Sequence, residues 1–168
     1  MKKASLLLAL CLILGMLSGL AVSASATEPE VWDGSVASSL SGFGTSSNPY
    51  VITNGAQLAY VAKAVNDGIG SYRTAHYRLG ADIVLNEGDA ASWAETAPAN
   101  VWTPIGIATD GANDNEWRAG AFNGVFDGNG KTVSGVYVVN DTDSKNAGTG
   151  LFAIAKTMRF GLRKRWIS

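Results

Sequence analysis

The sequence predicts an all-β domain that contains one α-helix. Three observations favour this class: a high glycine content, a single stretch with helical periodicity, and a long region of period two that follows it. Glycine makes up 20 of 168 residues, about 12%, against roughly 7% in an average protein. The hydrophobic fraction of 46%, together with five Trp, five Tyr and five Phe, predicts a packed core and disfavours an intrinsically disordered chain.

The helical periodicity is confined to residues 54–66. Apolar residues at i, i+3, i+4 and i+7 would form one buried face, and they are Leu58, Val61, Ala62 and Val65. Asn54 is a suitable N-cap with Gln57 three residues further on, and Asp67-Gly68 is expected to end the helix. We therefore expect helix in the mature chain only from about Asn54 to Asn66.

Short segments of period two flank this helix and are bounded by Gly, Asn and Asp, as in a β-solenoid or a β-sandwich. The segment around Phe126-Asp127-Gly128-Asn129-Gly130 also fits a type I′ hairpin turn, and periodicity alone does not choose between a hairpin and a solenoid corner. The predicted strands are Pro49–Ile52, the segments at Tyr77 with Leu79 and at Ile83 with Leu85, Val101–Gly106, Phe122–Gly130, and Lys131–Val139.

Residues 1–26 have the organisation of a signal peptide. Lys2 and Lys3 precede an apolar run from Leu6 to Val22, and Ala24-Ser25-Ala26 is a small-residue cleavage site, so we expect cleavage after Ala26. A retained membrane anchor is disfavoured because the run is at the short limit for a hydrocarbon core of roughly 30 Å. The mature chain would then contain no cysteine and would depend on its core or on bound ions for stability.

Eight short motifs occur in order along the chain: Trp32-Asp33-Gly34, Asn48-Pro49-Tyr50-Val51-Ile52, Gln57-Leu58-Ala59, Tyr77 with Leu79, Asp82-Ile83-Val84-Leu85, Trp102-Thr103-Pro104-Ile105-Gly106, Phe122 to Gly130, and Gly150-Leu151-Phe152. Their order and spacing resemble the N-terminal part of the repeat region in bacterial surface proteins that carry the GLUG motif. The resemblance implies a right-handed parallel β-helix with an N-terminal cap, formed by the helix at Asn54, and about two coils. It also implies a secreted or wall-associated protein.

The pattern stops after Phe152. Ala153 stands where the motif has a second glycine, and the net charge changes from −8 over residues 27–155 to +5 over residues 156–168. A frameshift or premature gene end explains both changes, and a basic tail that binds an anionic surface is the alternative. We expect residues 27–155 to form the module, incomplete at its end, and residues 156–168 to lie outside the fold.

Hard oxygen ligands are concentrated in the loop from Asp110 to Glu116. Ca²⁺ takes six to eight oxygen ligands, so Asp110, Asp114 and Glu116 are candidate calcium ligands, although the spacing is not that of an EF-hand. A solvated insertion loop is the alternative interpretation. No other cofactor is expected.

No catalytic residue is assigned from the sequence. His76 is the only histidine, which excludes a multi-histidine zinc centre, and it is expected to be half-exposed before a strand. Asp82 and Asp127 are expected to be turn residues that accept backbone N–H bonds. The tryptophans Trp93, Trp102 and Trp117 would form either a sugar-stacking platform or part of the core.

These features predict a secreted or cell-surface, non-enzymatic β-helix module of a bacterial surface or adhesin-like protein, present here as a fragment. Its expected partner is an extracellular glycan or a surface protein of a host or neighbouring cell. Nucleic-acid binding and a retained membrane span are not expected. The alternative is a carbohydrate-active enzyme, a polysaccharide lyase or hydrolase on a parallel β-helix, which requires carboxylates that converge on an open groove.

Overall fold

The computed structural model describes residues 28–107, 121–139 and 150–153. Predictions for the signal peptide, for Asp110, Asp114 and Glu116, for Trp117 and for residues 156–168 lie outside these residues. The described elements, in chain order, are β1 (Tyr50–Ile52), α1 (Gly55–Asn66), α2 (Gly70–Arg73), β2 (His76–Leu79), β3 (Ile83–Val84), α3 (Ala90–Glu95), β4 (Val125–Asp127) and β5 (Val133–Ser134).

The described strands form two small parallel sheets. The first has the order β1-β2-β4, with Tyr77 of β2 opposite both Tyr50 and Phe126. The second pairs β3 with β5 and places Ile83 opposite Val133. Parallel neighbours require a crossover connection, and α1 and α2 lie in the connection between β1 and β2.

The predicted right-handed parallel β-helix, all-β with one capping helix, is wrong. The described residues form only two sheets, of three and two strands, and three helices accompany them, so the architecture is mixed α/β. Val101–Gly106 does not form a strand, because Pro104 has no N–H to donate and only Ile105 makes a β-bridge, to Phe152. The short helices α2 and α3 also contradict the expectation of a single helix in the mature chain.

The prediction of helix α1 is confirmed. The Asn54 side chain accepts a hydrogen bond of 2.9 Å from the backbone N–H of Gln57, and the helix ends at Asn66. Leu58, Val61 and Val65 are fully buried in the core. Gly55 allows the first turn of α1 to lie against Trp32, since a Cβ at this position would come within 2.4 Å of the Trp32 Cβ.

The core lies between α1 and the strands and is rich in aromatic rings. Tyr77, Trp102 and Phe122 are its largest fully buried side chains. The Tyr77 hydroxyl donates to the carbonyl of Tyr72 at 2.6 Å, and burial raises the pKa of Tyr77, so this hydroxyl stays protonated. Tyr77 packs against Phe122 with tilted rings and against Phe126 with stacked rings, and such large side chains can fill the space between short strands.

The turn after β4 is a corner between sheets and not a hairpin. Asn129 and Gly130 both have positive φ, and Lys131 donates its N–H to the carbonyl of Gly128 at 2.7 Å. This is the backbone pattern of a type I′ turn. However, β4 and β5 belong to different sheets, so this turn does not connect the two strands of a hairpin, the alternative that periodicity left open.

Within the three described segments, no helix is long and apolar enough to cross a membrane.

Candidate binding surface

A loop of residues 86–100 leaves the fold after β3 and returns just before Trp102. We call it the clamped loop, because Asn86 and Asn100 hold its two ends together. The Asn86 Oδ1 accepts from the Asn100 N–H at 2.9 Å, and the Asn86 Nδ2 donates to the Asn100 carbonyl at 2.7 Å. One side-chain amide therefore pairs with a backbone N–H and C=O as a neighbouring strand would.

The same two asparagines attach the clamped loop to the rest of the fold. Asn86 Nδ2 also donates to the Gly135 carbonyl at 2.9 Å, just after β5. Asn100 Nδ2 donates to the carbonyls of Leu85, at 3.1 Å, and Trp32. Asn86 is only 5% exposed, and it is the one buried polar residue of the described core. Because each Nδ2 donates two bonds, the loop has a fixed base.

Helix α3 organises the interior of the clamped loop. Asp89 is its N-cap: the Ser92 N–H donates to Asp89 Oδ1 at 3.0 Å, and the Asp89 N–H donates to Ser92 Oγ at 3.1 Å. These reciprocal bonds form a capping box. The hydrogen bond from the Ser92 backbone lowers the pKa of Asp89, and this favours the carboxylate as an acceptor.

Trp93 projects from α3 onto Tyr137. The ring centroids are 5.8 Å apart and the rings meet edge to face, at 74°. The Trp93 Nε1 donates to the Glu87 carbonyl within the same loop, at 3.0 Å. Both rings are half-buried, so the pair is held in place and still reaches the surface. We call Trp93 and Tyr137 the aromatic pair.

Of the three tryptophans considered from the sequence, Trp117 lies outside the described residues, and Trp93 and Trp102 lie in different surroundings. Trp102 is 2% exposed, packs edge to face on Trp32 at 5.8 Å, and donates its Nε1 to the Leu151 carbonyl at 3.2 Å. It is a core residue. Trp93 is only half-buried, and its aromatic neighbour is Tyr137, which the sequence interpretation did not select.

The clamped loop carries only negative charge. Glu87, Asp89 and Glu95 are all exposed, and no Lys or Arg occurs in residues 86–100. Asp89 is occupied by its role as N-cap, whereas the carboxylates of Glu87 and Glu95 make no hydrogen bond or ion pair within the described part of the chain. Their oxygens are therefore free to accept hydrogen bonds.

The expectation that Asp82 and Asp127 accept backbone N–H bonds is confirmed, but only Asp127 does so within a turn, since the partner of Asp82 lies 50 residues away in the sequence. Asp82 Oδ1 accepts from the Thr132 N–H at 2.7 Å and from the Thr132 Oγ1 at 3.1 Å, and the backbone bond is the main cause of its lowered pKa. Asp127 Oδ1 accepts from the Asn129 N–H at 2.9 Å, and its Oδ2 pairs with Arg78 Nε at 2.9 Å. His76 is half-buried at the start of β2, as expected.

Across residues 28–107, 121–139 and 150–153, no three His, Cys, Asp or Glu side chains are grouped as metal ligands would be.

The asparagine clamp was missed by sequence reasoning. The only signal for it is that a polar, Ala-rich loop begins and ends with Asn.

No protein-family model matches the chain, and no match was found among curated proteins or among solved structures.

Proposed function

We propose that this chain is an exported, non-enzymatic binding module of a bacterial cell-surface or adhesin-like protein. Support for export comes from the basic start, the apolar run and the Ala24-Ser25-Ala26 site, with an expected mature N-terminus at Thr27. The partner would be an extracellular glycan or a protein of another cell surface.

The observation that carries the binding role is the construction of the clamped loop. Loops that are positioned by a rigid scaffold often carry binding residues. Here the two asparagines fix the loop at its base and the capping box orders its helix. The aromatic pair reaches the surface beside this ordered loop, where a partner can contact it.

The roles of the acidic side chains favour binding over catalysis. Asp89 and Asp127 accept hydrogen bonds from nearby backbone N–H groups at a helix start and a turn, and Asp82 accepts one from the Thr132 N–H, 50 residues further along the chain. Such carboxylates are held as acceptors, whereas a general acid must be positioned to release a proton to substrate.

The test is expression of the full-length chain in a bacterial host, followed by fractionation and mass spectrometry. We expect a species that begins at Thr27 in the exported fraction and that binds to intact cells or to extracellular polymer. Reducing ends and unsaturated products should not accumulate when it is incubated with polysaccharides. An intact Met1 species held in the membrane would contradict the proposal. Formation of reducing ends or unsaturated products by the purified protein would contradict it as well.

A further inference from the structure

We infer that the aromatic pair, Trp93 with Tyr137, is the binding site for an uncharged glycan. This inference rests on the proposed function and names its ligand class. The indole N–H of Trp93 is not available to a ligand. Trp has one hydrogen-bond donor, and in this structure it is already used by the Glu87 carbonyl. The surface that Trp93 offers to a ligand is therefore apolar ring, which suits the C–H face of a sugar ring.

The aromatic pair is also held rigidly. Ordering a side chain on binding costs free energy, and a site that is ordered beforehand avoids that cost. Trp93 is fixed by its N–H bond, by its contact with Tyr137 and by the capped helix that carries it. The asparagine clamp fixes the loop itself.

The charge of the clamped loop favours an uncharged ligand. The exposed carboxylates of Glu87, Asp89 and Glu95 surround Trp93 in sequence without a basic residue in the loop. Like charges repel, so this surface disfavours uronate, sulfate or phosphate polymers and anionic lipid surfaces. The free oxygens of Glu87 and Glu95 can accept hydrogen bonds from sugar hydroxyl groups. An uncharged glycan satisfies both the apolar ring and these acceptors.

The experiment measures binding of the exported protein to soluble uncharged glycans, glycol chitin and hydroxyethylcellulose, by affinity electrophoresis. Alginate is the anionic comparison. We expect retardation by at least one uncharged glycan and none by alginate. Trp93→Ala and Tyr137→Ala should each weaken binding by about tenfold, in the range of stacking contacts on aromatic rings. The matched control is Phe43→Ala, which removes a more exposed ring, 76% accessible, outside the loop, and should change affinity less than about twofold.

A second variant separates recognition from folding. Glu87→Lys with Glu95→Lys should keep the far-ultraviolet circular dichroism of the wild type and gain retardation by alginate, which a purely structural role for the loop would not produce. Equal retardation of the Trp93→Ala and wild-type proteins would overturn the inference. The inference would also be overturned if an exported protein that binds cells bound no glycan, or if Trp93 were needed only for binding to a protein surface. Both of these results leave the proposed function intact. An exported protein that binds neither cells nor polymer would refute the proposed function itself.

Discussion

Replacing Asn86 is the sharpest test of the asparagine clamp. Its amide makes three hydrogen bonds, with the Asn100 N–H, the Asn100 carbonyl and the Gly135 carbonyl, between 2.7 and 2.9 Å. Asn86→Ala removes all three at a position that is 5% exposed. A typical buried hydrogen bond contributes about 0.5–1.5 kcal/mol net, so we expect a loss of about 2–4 kcal/mol in the free energy of unfolding.

Asn86→Asp makes the same argument depend on pH. The introduced carboxyl would place an oxygen where Nδ2 now donates to two carbonyl oxygens. Burial and these acceptors would raise its folded-state pKa above the unfolded value of about 3.9. A raised folded-state pKa gives stability that is present below the unfolded pKa and is lost as pH rises through the folded one. The variant should therefore be least stable, by about 3–5 kcal/mol, near neutral pH.

Urea denaturation followed by circular dichroism, at several pH values between 3.5 and 7.5, measures both effects. The control is the exposed Asn123, whose replacement by Ala or Asp should change the free energy of unfolding by less than about 0.5 kcal/mol at any of these pH values. The clamp would lose its assigned role if Asn86→Ala were as stable as Asn123→Ala. A penalty for Asn86→Asp that did not grow with pH would refute the assignment of Nδ2 as the donor.

Three further predictions address other parts of the fold. Leu58→Asp should reduce the free energy of unfolding by several kcal/mol, because it places a charge at a fully buried position of α1; a wild-type melting temperature would contradict the packing of this helix. Gly135→Ala should be much more destabilising than Gly130→Ala. Both residues have positive φ, but a Cβ at Gly135 would lie 2.1 Å from the Asn86 carbonyl oxygen, whereas the space at Gly130 is open. Equal urea midpoints for the two variants would refute this expectation. Asp82→Ala should destabilise the protein above about pH 4 and progressively less below it. The reason is that a lowered folded-state pKa gives stability that is lost as pH falls through that pKa. A loss in the free energy of unfolding that urea titrations find to be constant from pH 2.5 to 7 would contradict the Thr132 contact.

Local signals in the sequence were sufficient for α1 and for the short strands that contain strong apolar residues. The Asn54 cap, the spacing of Leu58, Val61 and Val65, and the strand Tyr50–Ile52 all depend on neighbours in the chain, so the periodicity predicts them correctly. The architecture depends instead on which segments pair at a distance and on how far each pairing extends. Most predicted strands proved to be only two to four residues long.

The candidate site was less predictable for a related reason. Trp93 was selected as a candidate for sugar stacking, but Tyr137 lies beyond the loop in the sequence and meets it only through the tertiary fold. The Asn86 clamp joins residues 14 and 49 positions apart. No local pattern encodes a pairing at such separations, whereas the capping box of Asp89 and Ser92 is local and could have been identified from the sequence.

The side-chain amides explain how strands this short hold a defined arrangement. A parallel strand of two or three residues makes few ladder hydrogen bonds, so carbonyl groups at its ends need other donors. Asn66 donates to the Pro104 carbonyl at 3.0 Å and accepts from the Gly106 N–H at 2.8 Å, and Asn129 donates to the Leu79 carbonyl at 3.0 Å. Together with the clamp at Asn86, these bonds involve the last residues of α1 and β2 and the ends of loops. Side-chain amides at the ends of elements therefore carry much of the specificity of the fold, and the base of the clamped loop depends on Asn86 and Asn100 and not on residues 87–99.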